Sequence, residues 1–342
     1  MGNKQNRQIV LKQRPTGSAK LEDFQIIKNE IPSVKDGEIL FQNIMISVEP
    51  YQRNLMGNGS SELDSLDIGE TMQGPTVAKI IVSKNNDFKV GDYVQTWSGW
   101  QDYGVSNGSD IRLLDPKAAP LSTALGPLGL NGFAAWYGMT KLHDFKPNGT
   151  LVVTGAAGSV GSLAAQLGKL RGYRVVGVAG GKDKVNLLRE DLGLDAAIDY
   201  KATDLEDQVR KALPDGIDSF YENVGGPIFP ILMEYFNKDA KMTISGTIAD
   251  YSNTELPKGT NYLPRLITII HYRFLNIKAF ATPFVMDSMD EFLQEVTPLI
   301  QDGKIKYSEE FVDGFDKLPE TFLSLFDGSH SGKKLIVMAQ ND

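Results

Sequence analysis

Hydrophobic positions along this chain follow two rhythms. In the first third, short apolar runs (Ile39–Phe41, Ile44–Val48, Val77–Val82, Tyr93–Thr96, Ile111–Leu114) alternate with turn clusters such as Lys35-Asp36-Gly37 and Val90-Gly91-Asp92. Runs of this length and spacing predict the short strands of a compact, barrel-like β domain. A Gly/Pro-punctuated crossing, Pro120–Asn131, leads to a predicted helix over Gly132–Leu142. From Leu151 the rhythm becomes strand, then helix. Strands are predicted at Leu151–Thr154, Arg174–Val178, Ala196–Tyr200, Ile217–Asn223, Lys241–Ser245 and Asn276–Phe280. Helices are predicted at Val160–Arg171, Lys182–Leu192, Asp204–Ala212, Pro227–Phe236 and Met286–Asp302. Strands separated by helices in this way predict an α/β fold with a doubly wound parallel sheet. The tail returns to strand-like runs at Glu310–Val312 and Leu335–Met338, which are expected to rejoin the β domain. The predicted division is therefore residues 1–127 with 310–342, and residues 128–309.

The sharpest local pattern opens the second rhythm. Leu151–Val153 runs into a glycine turn (Gly155, Gly158, Gly161), and a helix follows with Val160, Leu163, Ala164, Leu167 and Leu170 on one face. A second strand, Val175–Val178, comes next. Such a unit of Rossmann type cradles a dinucleotide pyrophosphate: glycines let the backbone approach, and the helix N-terminus offers free N–H groups and a partial positive charge. Ala156 stands where the fingerprint has its first glycine, with Gly155 one position earlier. The alternative for such a turn is an ordinary strand–helix connection that binds nothing.

Composition narrows the rest. A length of 342 residues suits two domains. A net charge of −8 argues against nucleic acid or an anionic membrane as partner. No apolar run approaches about 20 residues, and the N-terminus lacks a secretory core, so a cytoplasmic protein is expected. With no cysteine, disulfides, thiolate nucleophiles and cysteine-built zinc sites are excluded. The three histidines, His143, His271 and His330, are scattered, and no metal is expected. Asn58-Gly59-Ser60, Asn107-Gly108-Ser109 and Asn148-Gly149-Thr150 read as turns rather than glycosylation sites.

An acid for the cofactor ribose is expected about 20 residues past the glycine turn. The second strand instead ends in Ala179-Gly180-Gly181-Lys182-Asp183-Lys184. Glycine at the strand tip with Lys182 and Lys184 close behind favours NADP over NAD. Asp183 lies beyond the tip, inside the next helix. Tyr137-x-x-x-Lys141 has the spacing of a tyrosine–lysine acid pair. It precedes the glycine turn, however, and reads as two residues one turn apart on a helix.

Motifs across nearly the whole chain resemble a known family. They are ISVEPYQR (Ile46–Arg53), GPLGLNGFAAWYG (Gly126–Gly138), TGAAGSVGSLAAQLGKLRG (Thr154–Gly172), YENVGG (Tyr221–Gly226), ISGTIADY (Ile244–Tyr251) and GKIKYSEEFVDGFDKLPETF (Gly303–Phe322). The chain resembles the zinc-independent medium-chain dehydrogenase/reductases of the leukotriene B4 12-hydroxydehydrogenase, prostaglandin reductase and curcumin-type alkenal reductase group. The resemblance implies a GroES-like β-barrel domain flanking the Rossmann domain, with the active site between them. It also implies a homodimer, and NADPH-dependent reduction of the C=C bond of a small conjugated aldehyde or ketone. By motif position, the pyrophosphate would lie on Gly158, Ser159, Val160 and Gly161. Gly181, Lys184 and Tyr200 would flank the 2′-phosphate, and Asn223 would approach the nicotinamide ribose. Ser245, Gly246, Thr247, Ile248 and Tyr251, with Phe280, Ala281 and Thr282, would line the nicotinamide pocket. Two departures stand out: Gly181 replaces a frequent serine, and His330 replaces a frequent asparagine near the cofactor.

In such a reduction the carbonyl oxygen becomes an enolate, and without a metal hydrogen-bond donors must carry its charge. The candidates are Tyr251, closing the turn after a Rossmann strand, and Tyr51, in the EPYQR motif. For each, the alternative is a packed aromatic at a domain boundary. Two other functions are the alternatives: quinone reduction with the same fold and cofactor, which the glycine turn does not separate but against which ENVGG and EPYQR weigh, and a non-catalytic NADP-binding protein, against which the intact glycines weigh.

Overall fold

The computed structural model describes residues 5–57, 65–143, 148–253, 260–328 and 330–338. The first part of the chain forms β1 (Gln5–Leu11), β2 (Phe24–Glu30), β3 (Ile39–Ser47), the short helix α1 (Gln52–Leu55), β4 (Thr76–Ser83), β5 (Tyr93–Thr96), β6 (Tyr103–Ser106) and β7 (Arg112–Leu114). Helix α2 (Leu130–Thr140) leads into β8 (Thr150–Thr154), α3 (Ser159–Leu170), β9 (Arg174–Ala179), α4 (Lys182–Asn186), β10 (Ala196–Asp199) and α5 (Leu205–Ala212). There follow β11 (Ile217–Glu222), α6 (Phe229–Leu232), β12 (Phe236–Ile244), α7 (Leu263–Arg273), β13 (Asn276–Ala279) and α8 (Met289–Gln301). The tail forms β14 (Glu309–Asp313), α9 (Leu318–Leu323) and β15 (Lys333–Val337).

The central strands pair in parallel in the order β10-β9-β8-β11-β12-β13. All of β8 is buried, as expected where helices cover both faces of a parallel sheet. Phe133 and Trp136 of α2 pack with Leu163 and Leu167 of α3 and Phe292 of α8 in one core. Val209 of α5, Leu232 of α6 and Ile269 of α7 belong to another. Strand order reverses between β8 and β11, so a crevice opens at their C-terminal ends, where α/β sheets bind ligands.

A second sheet runs β14-β15-β3-β4-β5-β7, with β6 also on β3. It is antiparallel except for β14 on β15. The tail thus leaves the parallel sheet after α8 and joins the sheet built by the chain's first third. Among the described residues no helix is long and apolar enough to cross a membrane.

Several elements depart from expectation. Ile39–Phe41 and Ile44–Val48 are one strand, β3; its irregularities at Leu40/Phe41 and Asn43/Met45 let it pair with β6 at one end and β15 at the other. Pro227 and Pro230 break the expected 227–236 helix into single turns, and Phe236 already opens β12. The expected 182–192 helix keeps α geometry only to Asn186 and then widens into a π turn over Leu187–Asp191. Helix α7 is not foreshadowed by the sequence pattern; it packs Leu266, Ile269 and Ile270 inward and leaves Leu263 and Ile267 exposed. Asn107 and Asn148 stand in turns, Asn148 with positive φ; Asn58 lies outside the described residues.

Candidate active site

A cleft of about 460 Å³ runs from the glycine turn to the β3–α1 connection. Its floor is the turn after β8. Gly155 takes φ +59°, a left-handed conformation suited to glycine, and turns the chain back. Ala156 is fully buried, its methyl facing Gly177, where a Cβ would stand 3.0 Å away. That packing explains an alanine in the fingerprint. A Cβ on Gly161 would fall 2.3 Å from the Gly155 carbonyl oxygen, so only glycine lets α3 sit this close. The first bond inside α3 is Ser162 N–H to Gly158 O at 2.9 Å. The N–H groups of Ser159, Val160 and Gly161 precede it, and all three residues line the cleft. This is an anion cradle at the positive end of a helix dipole.

Beyond the cradle stand cations. Lys184 lines the cleft and donates from Nζ to Gly328 O at 2.8 Å. Burial, and then the nearby Lys201 ammonium, lower its pKa. Tyr200 lies against Gly180, where a Cβ would meet its ring at 2.7 Å. His330 lines the same end, with Nδ1 buried and unpartnered. Burial, Lys184 and Lys334 push its pKa from 6.5 down to about 4, so it is neutral at pH 7. Lys182 is exposed and outside the cleft. Gly181 lies behind the lining, its N–H donating to Asp199 Oδ1 at 2.8 Å.

Two laced turns form the next wall. Glu222, 2% exposed, accepts from Thr154 Oγ1 (2.5 Å) and the N–H groups of Val224 (2.6 Å) and Gly225 (3.0 Å). Burial nonetheless pushes its pKa up. These bonds set Asn223 at the cleft, where its Nδ2 donates to Thr154 O at 2.8 Å. Ser245 N–H donates to Glu222 O, and Ile248 N–H to Asn223 O, holding the Ser245–Tyr251 turn alongside. Burial raises the pKa of the Tyr251 hydroxyl, against a smaller lowering by the Thr247 backbone, so it is a protonated hydroxyl able to donate its hydrogen. Ser245, Gly246, Ile248, Tyr251 and Thr282 line the cleft. Thr247 does not; it starts the one-turn helix Ile248–Asp250. Phe280 and Ala281 do not either: the Phe280 ring packs on Tyr137 at 5.2 Å, and Ala281 is exposed. Tyr137 is likewise off the cleft, and Lys141 is paired with Glu291 at 2.6 Å.

The facing wall comes from the other sheet. Tyr51 lines the cleft, and burial together with the Glu49 carboxylate pushes its pKa up, keeping it protonated. Glu49 and Lys333, unanticipated from the sequence, form an ion pair 2% and 4% exposed. Asn131 Nδ2 adds a bond to Glu49 Oε2 at 3.1 Å. Among the described residues no group of three or more His, Asp or Glu side chains could hold a metal ion.

Two family models match: "N-terminal domain of oxidoreductase" over residues 7–114 and "Zinc-binding dehydrogenase" over residues 159–290. The chain is 37% identical to the NADPH-dependent curcumin reductase of Escherichia coli, covering 98% of both chains. It is 32% identical to prostaglandin reductase 1 of Bos taurus, covering 96% of this chain and 97% of the relative. Its fold superposes on CurA from Vibrio vulnificus, whose structure is known with NADPH, with a TM-score of 0.93 at 35% identity, over 98% of this chain and all of CurA. The glycine cradle, the parallel sheet beside a mainly antiparallel one, and full-length likeness agree: the chain belongs to the medium-chain dehydrogenase/reductase family, in the group of curcumin, prostaglandin and alkenal reductases.

Proposed function

We propose that the protein reduces the C=C bond of α,β-unsaturated aldehydes and ketones with NADPH. The observation that carries this reading is one cleft with two unlike ends. At one end are the free N–H groups of α3 with Lys184 and His330. At the other are two hydroxyls, Tyr251 and Tyr51, both held protonated. The residues present fit a dinucleotide phosphate: a cradle where a Cβ cannot stand, and cations beside it. Ser159, Val160 and Gly161 would hold the pyrophosphate, Lys184, Tyr200 and His330 the 2′-phosphate side, and Asn223 the ribose next to the nicotinamide. Bound NADPH supplies the hydride.

The chain's part in the chemistry is to hold protons and exclude water. As charge builds on the substrate carbonyl oxygen, the Tyr251 hydroxyl, held protonated by burial, donates its hydrogen toward it. Tyr51, on the opposite wall, is the second donor. Neither must ionise, which suits their raised pKa values; a resonance-stabilised enolate needs less help than an alkoxide.

The dimer expected from the resemblance finds support at the edge of the parallel sheet. Strand β13 has a free edge among the described residues, and α7, leading into it, exposes Leu263, Ile267 and Tyr272. The proposed division into residues 1–127 with 310–342 and residues 128–309 is supported by the separation of the parallel sheet from the sheet of β3, β4 and β15, with β14 (Glu309–Asp313) beginning at its second boundary.

The deciding experiment is a panel of enals, enones and quinones followed by NADPH consumption, with products identified by mass spectrometry and NMR. Saturated carbonyl products are expected. Allylic alcohols would overturn the reading, and turnover confined to quinones would replace the substrate class. Tyr251→Phe should lower kcat about tenfold or more with NADPH affinity nearly unchanged, as for a group acting mainly in the transition state.

A further inference from the structure

The geometry points to Lys333 as the residue that positions Tyr51, by tying the turn that carries it to the turn that cradles the cofactor phosphates. The inference rests on the enone-reductase reading above. Gly332 and Lys333 are neighbours at the start of β15 and reach in opposite directions. Gly332 N–H donates to Ala157 O at 2.9 Å, and Gly332 bridges Gly158 in parallel. A Cβ on Gly332 would fall 2.5 Å from the Ser308 carbonyl oxygen, and its φ is +70°, so glycine alone allows this approach. The Lys333 N–H donates to that same Ser308 oxygen at 2.9 Å.

The Lys333 side chain crosses to the other wall. Its Nζ donates to Glu49 Oε1 and reaches Val48 O at 3.4 Å. Glu49 Oε1 also accepts from Ser47 Oγ at 2.8 Å, and the Glu49 N–H donates to Gln52 Oε1 at 2.9 Å. These bonds close the turn from Ser47 to Gln52, with Tyr51 on it. Tyr51 is the N-cap of α1, its carbonyl accepting from the Asn54 N–H at 2.8 Å, so its backbone place is set by this turn. If stability alone were at issue, an apolar pair could fill the space as well as a buried ion pair. Here both charges sit in the cleft wall beside a hydroxyl that must stay protonated and in register with the cofactor.

The test is a double-mutant cycle on kcat in the full chain, with Lys333→Met, Tyr51→Phe and both together. Lys333→Met should lower kcat about tenfold or more while the NADPH dissociation constant stays within about threefold, because the cradle is held by backbone bonds. In the Tyr51→Phe background the same change should cost about twofold or less, since the group it positions is gone. Additive losses, or wild-type kcat in Lys333→Met, overturn the inference. Because Lys333→Met strands a buried carboxylate, Glu49→Gln/Lys333→Met is the second variant. It removes both charges, so its Tm should return toward wild type while kcat stays low. Wild-type kcat in that variant would make the pair purely structural and overturn the inference. Wild-type kcat in Tyr51→Phe would do the same, while enone turnover with NADPH in that assay would leave the underlying reading intact.

Discussion

Lys184→Ala is the sharpest perturbation of cofactor choice. Lys184 is the cleft lysine of the strand-tip run; its ammonium is partly desolvated and donates to Gly328 O at 2.8 Å, near the Asp327 carboxylate. Burial and then the Lys201 charge lower its pKa, with Asp327 partly opposing, so an anion placed here gains a bond to a partly desolvated cation. A hydrogen bond to a charged group contributes about 1.5–3 kcal/mol net. Binding a phosphate means giving up part of the bond to Gly328, which favours the lower part of that range. NADPH affinity should therefore fall about 10- to 30-fold, at about 1.4 kcal/mol per decade. NADH, without the phosphate, should move about twofold or less, so a wild-type preference for NADPH of about tenfold or more should nearly vanish. Lys182→Ala, two residues away but outside the cleft, should change neither. Fluorescence titration of both reduced cofactors, repeated at two salt concentrations, measures all three proteins. Equal wild-type dissociation constants, or a parallel loss for both cofactors in Lys184→Ala, would refute the assignment of the 2′-phosphate to this cation.

Gly161→Ala should weaken NADPH and NADH alike and lower Tm, since its methyl would lie 2.3 Å from the Gly155 oxygen and overpacking of this kind costs about 1–3 kcal/mol; titration of both cofactors and thermal melts check it. His330 is neutral when folded, with its pKa at about 4 against 6.5 ordinarily. The unfolded chain thus takes up the proton first as pH falls. Stability linked to this residue is present above pH 6.5 and is lost between 6.5 and about 4, by at most about 3 kcal/mol. His330→Asn should flatten the fall of Tm with pH in that window, and identical slopes would exclude the linkage. Turnover should survive exhaustive chelation, because the chain has no cysteine to build a zinc shell; activity lost with EDTA and restored by zinc would contradict this.

What was legible in the sequence was local. The cradle is one contiguous segment, Thr154 to Gly161, bounded by a fully buried strand and an amphipathic helix, so its chemistry and backbone demands lie within eight positions. The six strands of the parallel sheet were likewise readable, because each is a short apolar run set off from the next. Elements failed where the signal was not local. Prolines 227 and 230 interrupt a run whose apolar spacing looks helical, and α7 turns apolar residues outward. Phe280 was placed by its position at the end of β13, but ring direction depends on Tyr137, more than a hundred residues away.

The same distinction divides the site itself. The proposed phosphate end is made by backbone, whose requirements show as glycines. The proposed reactive end is made by side chains meeting across the parallel and antiparallel sheets. Glu49 and Lys333 are 284 positions apart, and each alone reads as an ordinary surface charge. Only the path of the tail, leaving α8 to join β3 through β15, explains why a carboxylate and an ammonium can both be buried there. That path also passes the glycine turn, where Gly332 is bonded to Ala157. One dipeptide therefore touches both ends of the proposed site. The tail's strand-like pattern announced that it would pair, but what it would hold in place depended on partners that no short window of sequence contains.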